Sequence, residues 1–459
     1  NVDTHNTIDI NGDGEIQFSE ANLIKYLNVY DSGITNLEGI KSFTNLQYLS
    51  CTNNQISNLN VSGLTNLEQL WCDKNQLTNM NISGLTNLQK LFCRSNQLTS
   101  LNASGLTNLE QLWCAQNQLT GLILTGLANL QILACSVNKL TTLDLSGLIN
   151  LQHLTSSQNQ YQSLNISGLP NLQVFDCSEN QLTSLHVSDL ANLESLVCNS
   201  NQLTSLNISG LPKLTYLMCY SNQLTILNLS EFKNLNNFDC SSNQLTSLDV
   251  SDLPNLTSLT CNYNQLASLF IKNNNAKWLT LFFQNNPNLV YICADDKDQT
   301  LVLARMDYYG YTNCQVNSYC SFTPGGIFYT INGETKLDRN NNGCDTSDTF
   351  LPYLKYTAKN GIVSGNFISN ASGNYSIPSP AGTHTITPQL ENPSYFTVTP
   401  ASATVTFPTT ASPFVQDFCI TPNGIRHDLE VVIIPLEPAR PGFDATYKIK
   451  YKNKGNAYE

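Results

Sequence analysis

Residues 67–87 read LEQLWCDKNQLTNMNISGLTN, and residues 88–108 read LQKLFCRSNQLTSLNASGLTN. The two segments align without a gap, and the pattern LxxLxCxxNxLxxLxxSxLxN continues on both sides of them. Its cysteines are Cys51, Cys72, Cys93, Cys114, Cys135, Cys177, Cys198, Cys219, Cys240 and Cys261, with Ser156 at the remaining position. Its asparagines are Asn54, Asn75, Asn96, Asn117, Asn138, Asn159, Asn180, Asn201, Asn222, Asn243 and Asn264. A fixed period of this kind predicts units that stack on one another.

The repeat resembles the leucine-rich-repeat family. In that family each repeat is one coil of a solenoid, with a short parallel strand on the concave side and a tighter turn on the convex side. One coil cannot bury its own leucines, whereas stacked coils bury them in a continuous core. The resemblance therefore implies a mainly β fold, a solenoid of 21-residue repeats over residues 46–292.

The repeated asparagines and cysteines are both expected to face inward. A side-chain amide at the corner after each strand can satisfy backbone groups that the strand ladder does not reach, so the asparagines are interpreted as structural. Buried free cysteine behaves as a small apolar residue. Because Ser156 replaces one cysteine without disturbing the register, packing is favoured over metal binding or redox chemistry.

The composition excludes several classes of partner. Of 459 residues only 12% are charged, and the formal net charge is −12. Binding to nucleic acid or to an anionic membrane needs clustered Lys and Arg, so neither is expected. The apolar runs fall short of the ~18 residues that a membrane helix needs. We expect a secreted segment of a longer protein, with no membrane insertion.

A calcium loop is predicted near the start of the chain. The segment DINGDGEIQFSE, residues 9–20, matches the pattern D-x-[DN]-x-[DN]-G-x5-E. In such loops oxygen atoms bind the ion, here those of Asp9, Asn11, Asp13, Glu15 through its carbonyl group, and Glu20 through both carboxylate oxygens. The following ANLIKYL is expected to form the exiting helix. Residues 1–45 are thus predicted to be an N-terminal cap that is EF-hand-like and is fastened by a structural Ca²⁺. The alternative is a loop that holds no ion.

A cysteine-bearing cap is predicted at the other end of the solenoid. The spacing slips after Asn264, and Phe283 takes the cysteine position in what we interpret as the last coil. Residues 293–321 then form the C-terminal cap. A disulfide between Cys293 and Cys314 is a candidate there, although sequence alone does not fix connectivity.

Beyond residue 322 the leucine period disappears, and short alternating segments with Gly, Pro and Asn turns predict a β-sandwich over residues 322–424. The segment TINGETKLDRNNNGCDTSDTFLPYLKYTAKNG resembles the B-type immunoglobulin-like domains of bacterial surface adhesins, which carry an acidic calcium loop. The matching residues of this second possible calcium site are Asp338, Asn340, Asn342, Asp345 and Asp348. Cys344 and Cys419 flank the region and are a candidate disulfide. Residues 425–459 are predicted to begin another β-domain.

Together, the calcium loop, the repeats and the β-domains resemble flavobacterial surface proteins exported by type IX secretion, some of which are adhesins. The resemblance implies a secreted or outer-surface location and contact with the type IX secretion apparatus. It does not specify a ligand.

A candidate ligand face follows from the strand geometry. Side chains that alternate with the inward-facing positions point out of the concave face. One row of such positions places Trp71, Phe92 and Trp113 on consecutive coils. Their neighbours are Tyr48, Gln69, Asp73, Lys90, Arg94 and Gln111. These aromatics suit stacking on sugar rings or burial of an apolar anchor of a protein partner. Alternatively, the rings stack only on one another and stabilise the sheet. A second, weaker candidate is Tyr216, Met218 and Tyr220.

An enzymatic function is not predicted. The histidines are scattered, and none accompanies a Ser or Cys in a nucleophile motif. Carboxylates such as Asp176 and Glu179 are expected on an open face, where nothing perturbs their pKa values. The prediction is an adhesin-like binding protein for a glycan or protein ligand. The alternative is a passive spacer or secretion cargo whose function lies in other parts of the protein.

Overall fold

A computed structural model describes residues 8–274, 278–320, 327–361, 363–435 and 446–456. The chain divides into two compact units. The first comprises residues 1–246, 252–265 and 275–286, and the second comprises residues 247–251, 266–274 and 287–459. Parts of the predicted N-terminal cap, residues 1–7, and of the last predicted β-domain, residues 436–445 and 457–459, lie outside the described residues. Within the described ranges, no helix combines the length and the apolar character needed to cross a membrane.

Short strands recur along the repeats. They are β1 Tyr26–Asn28, β2 Tyr48–Ser50, β3 Asn58–Asn60, β4 Gln69–Trp71, β5 Asn79–Asn81, β6 Lys90–Phe92, β7 Ser100–Asn102, β8 Gln111–Trp113, β9 Gly121–Ile123, β10 Ile132–Ala134, β11 His153–Thr155, β12 Val174–Asp176, β13 Ser184–Ser188, β14 Ser195–Val197, β15 Ser205–Ser209, β16 Tyr216–Met218, β17 Asn237–Asp239, β18 Ser247–Asp249, β19 Ser258–Thr260, β20 Ser268–Phe270, β21 Thr280–Phe282, β22 Tyr291–Cys293 and β23 Gln315–Asn317. The helical segments are α1 Phe18–Ala21, α2 Gln299–Tyr309 and the 3-10 turns Ile40–Ser42 and Pro393–Tyr395.

The first unit is built on a 13-stranded parallel sheet in the order β1-β2-β4-β6-β8-β10-β11-β12-β14-β16-β17-β19-β21. Neighbouring strands pair in repeat register, so that Leu70 lies opposite Leu91 and Leu91 opposite Leu112. All three leucines are fully buried. A one-residue slip would turn this leucine row towards solvent, which explains why the 21-residue period fixes the pairing. The predicted parallel solenoid is confirmed.

The repeated asparagine forms the same set of hydrogen bonds in successive coils, as Asn96 illustrates. Its Nδ2 donates to the carbonyl oxygens of Cys72 at 3.0 Å and of Cys93 at 3.2 Å. Its Oδ1 accepts from the backbone N–H of Leu77 at 3.0 Å. The side chain therefore satisfies the buried N–H of Leu77, shares the carbonyls of Cys72 and Cys93 with the neighbouring ladder asparagines, and joins two coils, as the predicted structural role requires.

The residue before this asparagine adopts a left-handed backbone conformation. Examples are Asn53 with φ 59°, Lys74 with φ 52° and Val137 with φ 58°. Only glycine, asparagine and aspartate adopt this conformation at little cost, because a Cβ atom otherwise crowds the following carbonyl. Each corner therefore imposes a local cost that depends on which residue stands there.

The repeated cysteines are unpaired and fully buried. Removal from water raises their thiol pKa, to about 12 for Cys51, Cys135 and Cys198. Such thiols stay protonated at neutral pH, and reactivity requires the thiolate. Their packing role agrees with the interpretation from sequence.

Two coils after Cys51 use a different residue at the cysteine position. Ser156 is fully buried and donates from Oγ to the carbonyl of Asp176 at 3.2 Å. Phe283, also fully buried, occupies the position in the last coil of the main sheet. Asn286 then repeats the ladder bonds, donating to the carbonyls of Phe283 at 2.9 Å and Cys261 at 3.1 Å. The prediction that Phe283 replaces cysteine is confirmed.

The N-terminal segment differs from the prediction. The helix α1 covers only Phe18–Ala21, and the segment ANLIKYL is not an exiting helix. Instead, Tyr26, Leu27 and Asn28 pair in parallel with the first strand of the regular repeats. Leu27 is 5% exposed. Burial of this leucine beneath the next coil overrides the local helical tendency, so the sheet starts one strand earlier than the predicted boundary.

The second unit also contains the strands that follow the repeats, most of which are longer. They are β24 Tyr329–Leu337, β25 Thr349–Phe350, β26 Lys355–Asn360, β27 Val363–Ile368, β28 Asn374–Ser379, β29 Gly382–Gln389, β30 Phe396–Thr399, β31 Ala403–Phe407, β32 Phe414–Val415, β33 Phe418–Pro422, β34 Leu429–Pro435 and β35 Tyr447–Asn453. An eight-stranded sheet runs β18-β20-β22-β23-β27-β26-β29-β31. A mixed sheet runs β25-β24-β33-β30, with β28 and β32 also paired to β24. Strands β34 and β35 form an antiparallel pair.

One buried cluster joins the two larger sheets of this unit. It includes Ile331 and Phe418 from one sheet and Tyr356, Phe367 and Ile386 from the other. The sheet that holds the last repeat strands also holds β27, β26, β29 and β31, because Asn317 of β23 pairs with Phe367 of β27. The cap and the following strands therefore share a sheet, and the immunoglobulin-like topology stays a prediction.

The cysteine pairing in the cap differs from the prediction. Cys293 is bonded to Cys320, with Cα atoms 5.6 Å apart, and Cys314 is a buried free thiol. The reason is register: Cys293 lies opposite Asn317, so Cys320 follows the end of β23 and can fold back. Cys314 precedes that strand at its other end. The predicted Cys293–Cys314 bond is wrong, whereas the Cys344–Cys419 disulfide is present.

Candidate ligand-binding face

Strands β2, β4, β6 and β8 bring together the residues predicted for ligand binding. Tyr48, Gln69, Lys90 and Gln111 occupy one row across these strands. The next outward-facing row holds Ser50, Trp71, Phe92 and Trp113. Asp73 and Arg94 lie two residues beyond the aromatic row on adjacent coils. The predicted residues thus form one continuous surface.

The aromatic side chains stack along the sheet. The ring centroids of Trp71 and Phe92 are 4.3 Å apart with planes 20° from parallel. Those of Phe92 and Trp113 are 5.8 Å apart with planes 11° from parallel. Tyr48 lies against the edge of the row, with its centroid 6.3 Å from that of Trp71. Parallel strands in register hold the rings close to the strand spacing of about 4.8 Å.

Arg94 is held over the same row by an ion pair. Its Nη2 lies 2.9 Å from Oδ2 of Asp73, which is buried, and its backbone N–H donates to Oδ1 at 2.6 Å. Its guanidinium carbon is 5.6 Å from the ring centroid of Phe92 and 5.2 Å from that of Trp113. The cation is therefore fixed beside the aromatic surface. The sequence predicted that Asp73 and Arg94 lie on the same surface, but it did not predict that they form an ion pair.

Exposure differs along the row. Phe92 is only 8% exposed, whereas Trp71 and Trp113 are partly exposed. Trp71 Nε1 donates weakly to Gln69 Oε1 at 3.4 Å. Trp113 Nε1 is buried and has no hydrogen-bond partner among the described residues. The surface offers two tryptophan edges, a fixed cation and the polar ends of Lys90 and Gln111.

A second group on the same sheet was only partly predicted. Tyr216, Met218 and Tyr220 lie on β16 and just after it. The row through Met218 also contains Asp176, Val197 and Asp239. Counting in steps of 21 along the sequence identifies this row, in which two apolar residues lie between two aspartates.

The first predicted calcium loop turns its backbone N–H groups towards its carboxylates. Asp9 Oδ1 accepts from Gly12 at 2.7 Å and Oδ2 from Gly14 at 2.8 Å. Glu20 is buried, and its two oxygens accept from the backbone of Ile10 at 2.8 Å and of Gln17 at 3.0 Å. The backbone N–H of Glu15, followed by smaller contributions from Asn11 and Gln17, lowers the pKa of Asp13.

The second predicted loop repeats part of this geometry. Asp9 accepts hydrogen bonds from the backbone N–H groups of the residues four and five positions later. Asp338 does the same, accepting from Asn342 at 3.2 Å and from Gly343 at 3.0 Å. The glycine has positive φ in both loops, 87° at Gly14 and 91° at Gly343. Asp338 is buried, and the other predicted residues follow it as Asn340, Asn342, Asp345 and Asp348.

The oxygen donors of both loops fit calcium chemically. Across the described ranges, however, no three His, Cys, Asp or Glu side chains converge in a way that could hold a metal ion. The two loops share oxygen-rich sequences and a similar backbone turn, and calcium binding stays a prediction.

Comparison with known proteins supports the repeat assignment. A family model described as "Leucine Rich repeats (2 copies)" matches residues 86–127. The solenoid is of the leucine-rich-repeat type. No curated protein matches the chain.

Three solved structures illustrate what this chain is similar to. The functional domain of InlJ from Listeria monocytogenes, which includes a cysteine ladder, is 23% identical with a TM-score of 0.43, over 89% of this chain and 92% of that one. An internalin, InlF, from the same organism is 25% identical with a TM-score of 0.49, over 63% and 87% of the two chains. YopM from Yersinia enterocolitica is 24% identical with a TM-score of 0.45, over 60% of each.

Proposed function

We propose that this protein binds a macromolecular ligand through the Trp71–Phe92–Trp113 row, and that it acts by binding rather than by catalysis. The observation that carries the proposal is the aligned aromatic surface with Arg94 fixed beside it. Tryptophan and arginine are the residues most enriched at interface positions that dominate binding energy. Rings that are already stacked lose little conformational entropy when a ligand covers them.

The unpaired indole N–H of Trp113 favours binding over a purely stabilising role. A buried donor without a partner costs about 1–3 kcal/mol. Phenylalanine would provide a similar stacking surface without this cost, as Phe92 does in the adjacent coil. A row selected for stability alone would therefore be expected to carry phenylalanine at this position.

The experiment is a binding screen with three single variants. Wild-type protein is applied to a glycan array and to intact cells treated either with protease or with glycosidase, which distinguishes a protein ligand from a glycan. We expect Trp71→Ala and Trp113→Ala to reduce binding at least tenfold. Phe282→Ala is the matched control, because Phe282 is an exposed aromatic in the same row at the far end of the sheet.

Trp113→Phe separates binding from stability. We expect this variant to melt at the same or a higher temperature while binding more weakly. If the tryptophan variants melt at lower temperature and still bind normally, the row is structural and the binding proposal fails.

A spacer function is the second candidate. It is favoured by the small polar residues that occupy the aromatic row elsewhere, such as Ser50, Thr155 and Thr260. In a spacer the repeats would provide length, and the ligand would be bound by other parts of the protein. A wild-type protein that binds neither array nor cells would support it.

We further propose that the protein is extracellular and, more specifically, that it lies on a bacterial surface after export by type IX secretion. The disulfides Cys293–Cys320 and Cys344–Cys419 support it, since such bonds persist in oxidising compartments.

We also propose that residues 9–20 hold a structural calcium ion. Calcium should then raise the melting temperature of the wild type by more than that of Asp9→Asn, as measured by calorimetry with and without chelator. An equal effect on both proteins would contradict it.

A further inference from the structure

Four neighbouring strands carry a row of acidic and apolar side chains on the outward face of the main sheet. Asp176, Val197, Met218 and Asp239 lie side by side on β12, β14, β16 and β17. All four are partly exposed. Two apolar side chains are therefore enclosed between two carboxylates in one straight line across the sheet.

The two carboxylates are oriented in the same way. Asp176 Oδ1 accepts from the backbone N–H of Ser178 at 2.9 Å and from its hydroxyl at 2.6 Å. Asp239 Oδ1 accepts from the backbone N–H of Ser241 at 2.9 Å and from its hydroxyl at 2.6 Å. In the described part of the chain neither Oδ2 is bonded, and neither carboxylate is paired with a cation. Each therefore retains one oxygen for a ligand.

The surroundings are aromatic and negatively charged. Tyr216 and Tyr220 flank Met218, at positions two before and two after it. Partial burial, then the charges of Asp239 and Glu179, raises the pKa of Tyr220. The outward-facing strand positions from Ile132 to Phe282 contain no Lys or Arg. The negative charge of this region is thus not neutralised within the sheet.

We propose that this row docks an extended peptide segment with basic residues at positions i and i+4 and an apolar residue at i+2. Three strand spacings of about 4.8 Å separate the two carboxylates by about 14 Å at the backbone. In an extended chain, residues four apart are about 13 Å apart and point to the same side, together with the residue between them. The central apolar side chain then lies on Val197 and Met218, and the cations meet Asp176 and Asp239.

The probe is a fluorescein-labelled, end-capped heptapeptide, TKTLTKT, titrated into the full chain and followed by fluorescence anisotropy at low ionic strength. Two control peptides have the same charge: TTKLKTT has the same composition but the wrong spacing, and TKTSTKT lacks the apolar anchor. We expect TKTLTKT to bind at least tenfold more tightly than either control. We also expect its affinity to fall as salt is added.

The matched protein variants are Asp176→Asn and Asp239→Asn, which keep the oxygen that accepts the serine bonds. Each should weaken TKTLTKT binding about three- to fivefold, as expected for one exposed ion pair. Asp249→Asn is the control, because Asp249 makes the same two bonds to Ser251 but lies outside the row. Met218→Ser should weaken binding further, and melting curves confirm that each variant folds.

Three outcomes would overturn the proposal. Equal binding of the three peptides would mean general attraction of cations to an acidic protein. Equal affinity of the row variants and Asp249→Asn would place the peptide elsewhere. Competition by a linear polyamine as effective as unlabelled TKTLTKT would indicate a site for small cations. Trp71→Ala should leave peptide binding unchanged, so this proposal and the one on the aromatic row can fail independently.

Discussion

The repeated asparagines from Asn54 to Asn264 form a ladder of buried hydrogen bonds, and the stability of each coil depends strongly on its one ladder asparagine. Asn96→Ala would leave the buried N–H of Leu77 without a partner. It would also remove one of the two amide donors from the carbonyls of Cys72 and Cys93, which still accept from Asn75 and Asn117. An unsatisfied buried group costs about 1–3 kcal/mol, so we expect the free energy of unfolding to fall by about 2 kcal/mol. Urea denaturation followed by circular dichroism measures it.

Asn108→Ala is the control in the same coil. Its side chain is exposed and donates one bond, to the carbonyl of Thr86 at 3.0 Å. We expect a loss below about 1 kcal/mol. Comparable losses for the two variants would mean that burial does not determine the role of the ladder.

Val137 occupies the left-handed corner where a β-branched residue is least favourable. The same corner in other coils holds Asn53 and Asn285, both with positive φ. Val137→Asn should therefore stabilise the protein by about 1 kcal/mol, measured as an increase in the denaturation midpoint. Gln158→Asn, at the next corner, relieves no β-branching and should give a smaller gain. If the two gains are equal, side-chain shape at the corner is irrelevant.

At the scale of the element, the aromatic row should contribute to sheet stability whatever it binds. Phe92 is nearly buried between Trp71 and Trp113, so Phe92→Ala should cost about 3 kcal/mol. Phe282→Ala removes the same atoms from a more exposed position, 42% accessible, and should cost less than half as much. Differential scanning calorimetry compares them, and equal melting temperatures would contradict the contribution of stacking.

The sequence predicted elements well where the period constrains them and less well elsewhere. The spacing of Cys72, Cys93 and Cys114 specifies strand register directly, because equivalent positions must stack. It could not specify that β1 begins at Tyr26, since that strand lies outside the regular spacing. The partner of Cys293 depends on the register of β23, which no repeated residue fixes.

The same distinction applies to the candidate site. The aromatic row was predictable because Trp71, Phe92 and Trp113 are 21 residues apart. The ion pair between Asp73 and Arg94 was not, because it depends on side-chain direction between neighbouring coils.

At the scale of the whole molecule, the repeated buried cysteines from Cys51 to Cys261 form a column, and this cysteine column makes the stability of the fold sensitive to alkaline pH. Burial raises the thiol pKa values in the folded state, to about 12 for Cys51 and Cys135, from about 9 in an unfolded chain. Above pH 9 the unfolded chain loses these protons first, so the free energy of unfolding decreases as pH rises. Each buried thiol contributes about 1.4 kcal/mol per pH unit in that window, and its full stabilisation is present below pH 9.

Urea midpoints between pH 7.5 and 10.5, in oxygen-free buffer, measure this dependence. In the double variant Cys114→Ala with Cys135→Ala, the free energy of unfolding should decline less steeply with pH than in the wild type. The slope is smaller because two buried thiols no longer contribute to it. Asn108→Ala serves as a control that leaves every thiol in place. Identical slopes for the double variant and the wild type would show that the column does not govern the alkaline limit.

The same column of cysteines can report which coils of the solenoid separate from their neighbours during unfolding. Each of the ten thiols from Cys51 to Cys261 belongs to one identified coil and is closed to solvent while that coil is packed. An alkylating reagent can therefore mark only coils that have separated, and the marked peptides identify them by mass. The order of labelling would report whether unfolding proceeds inwards from an end or starts in the middle, near Ser156, where the column is interrupted.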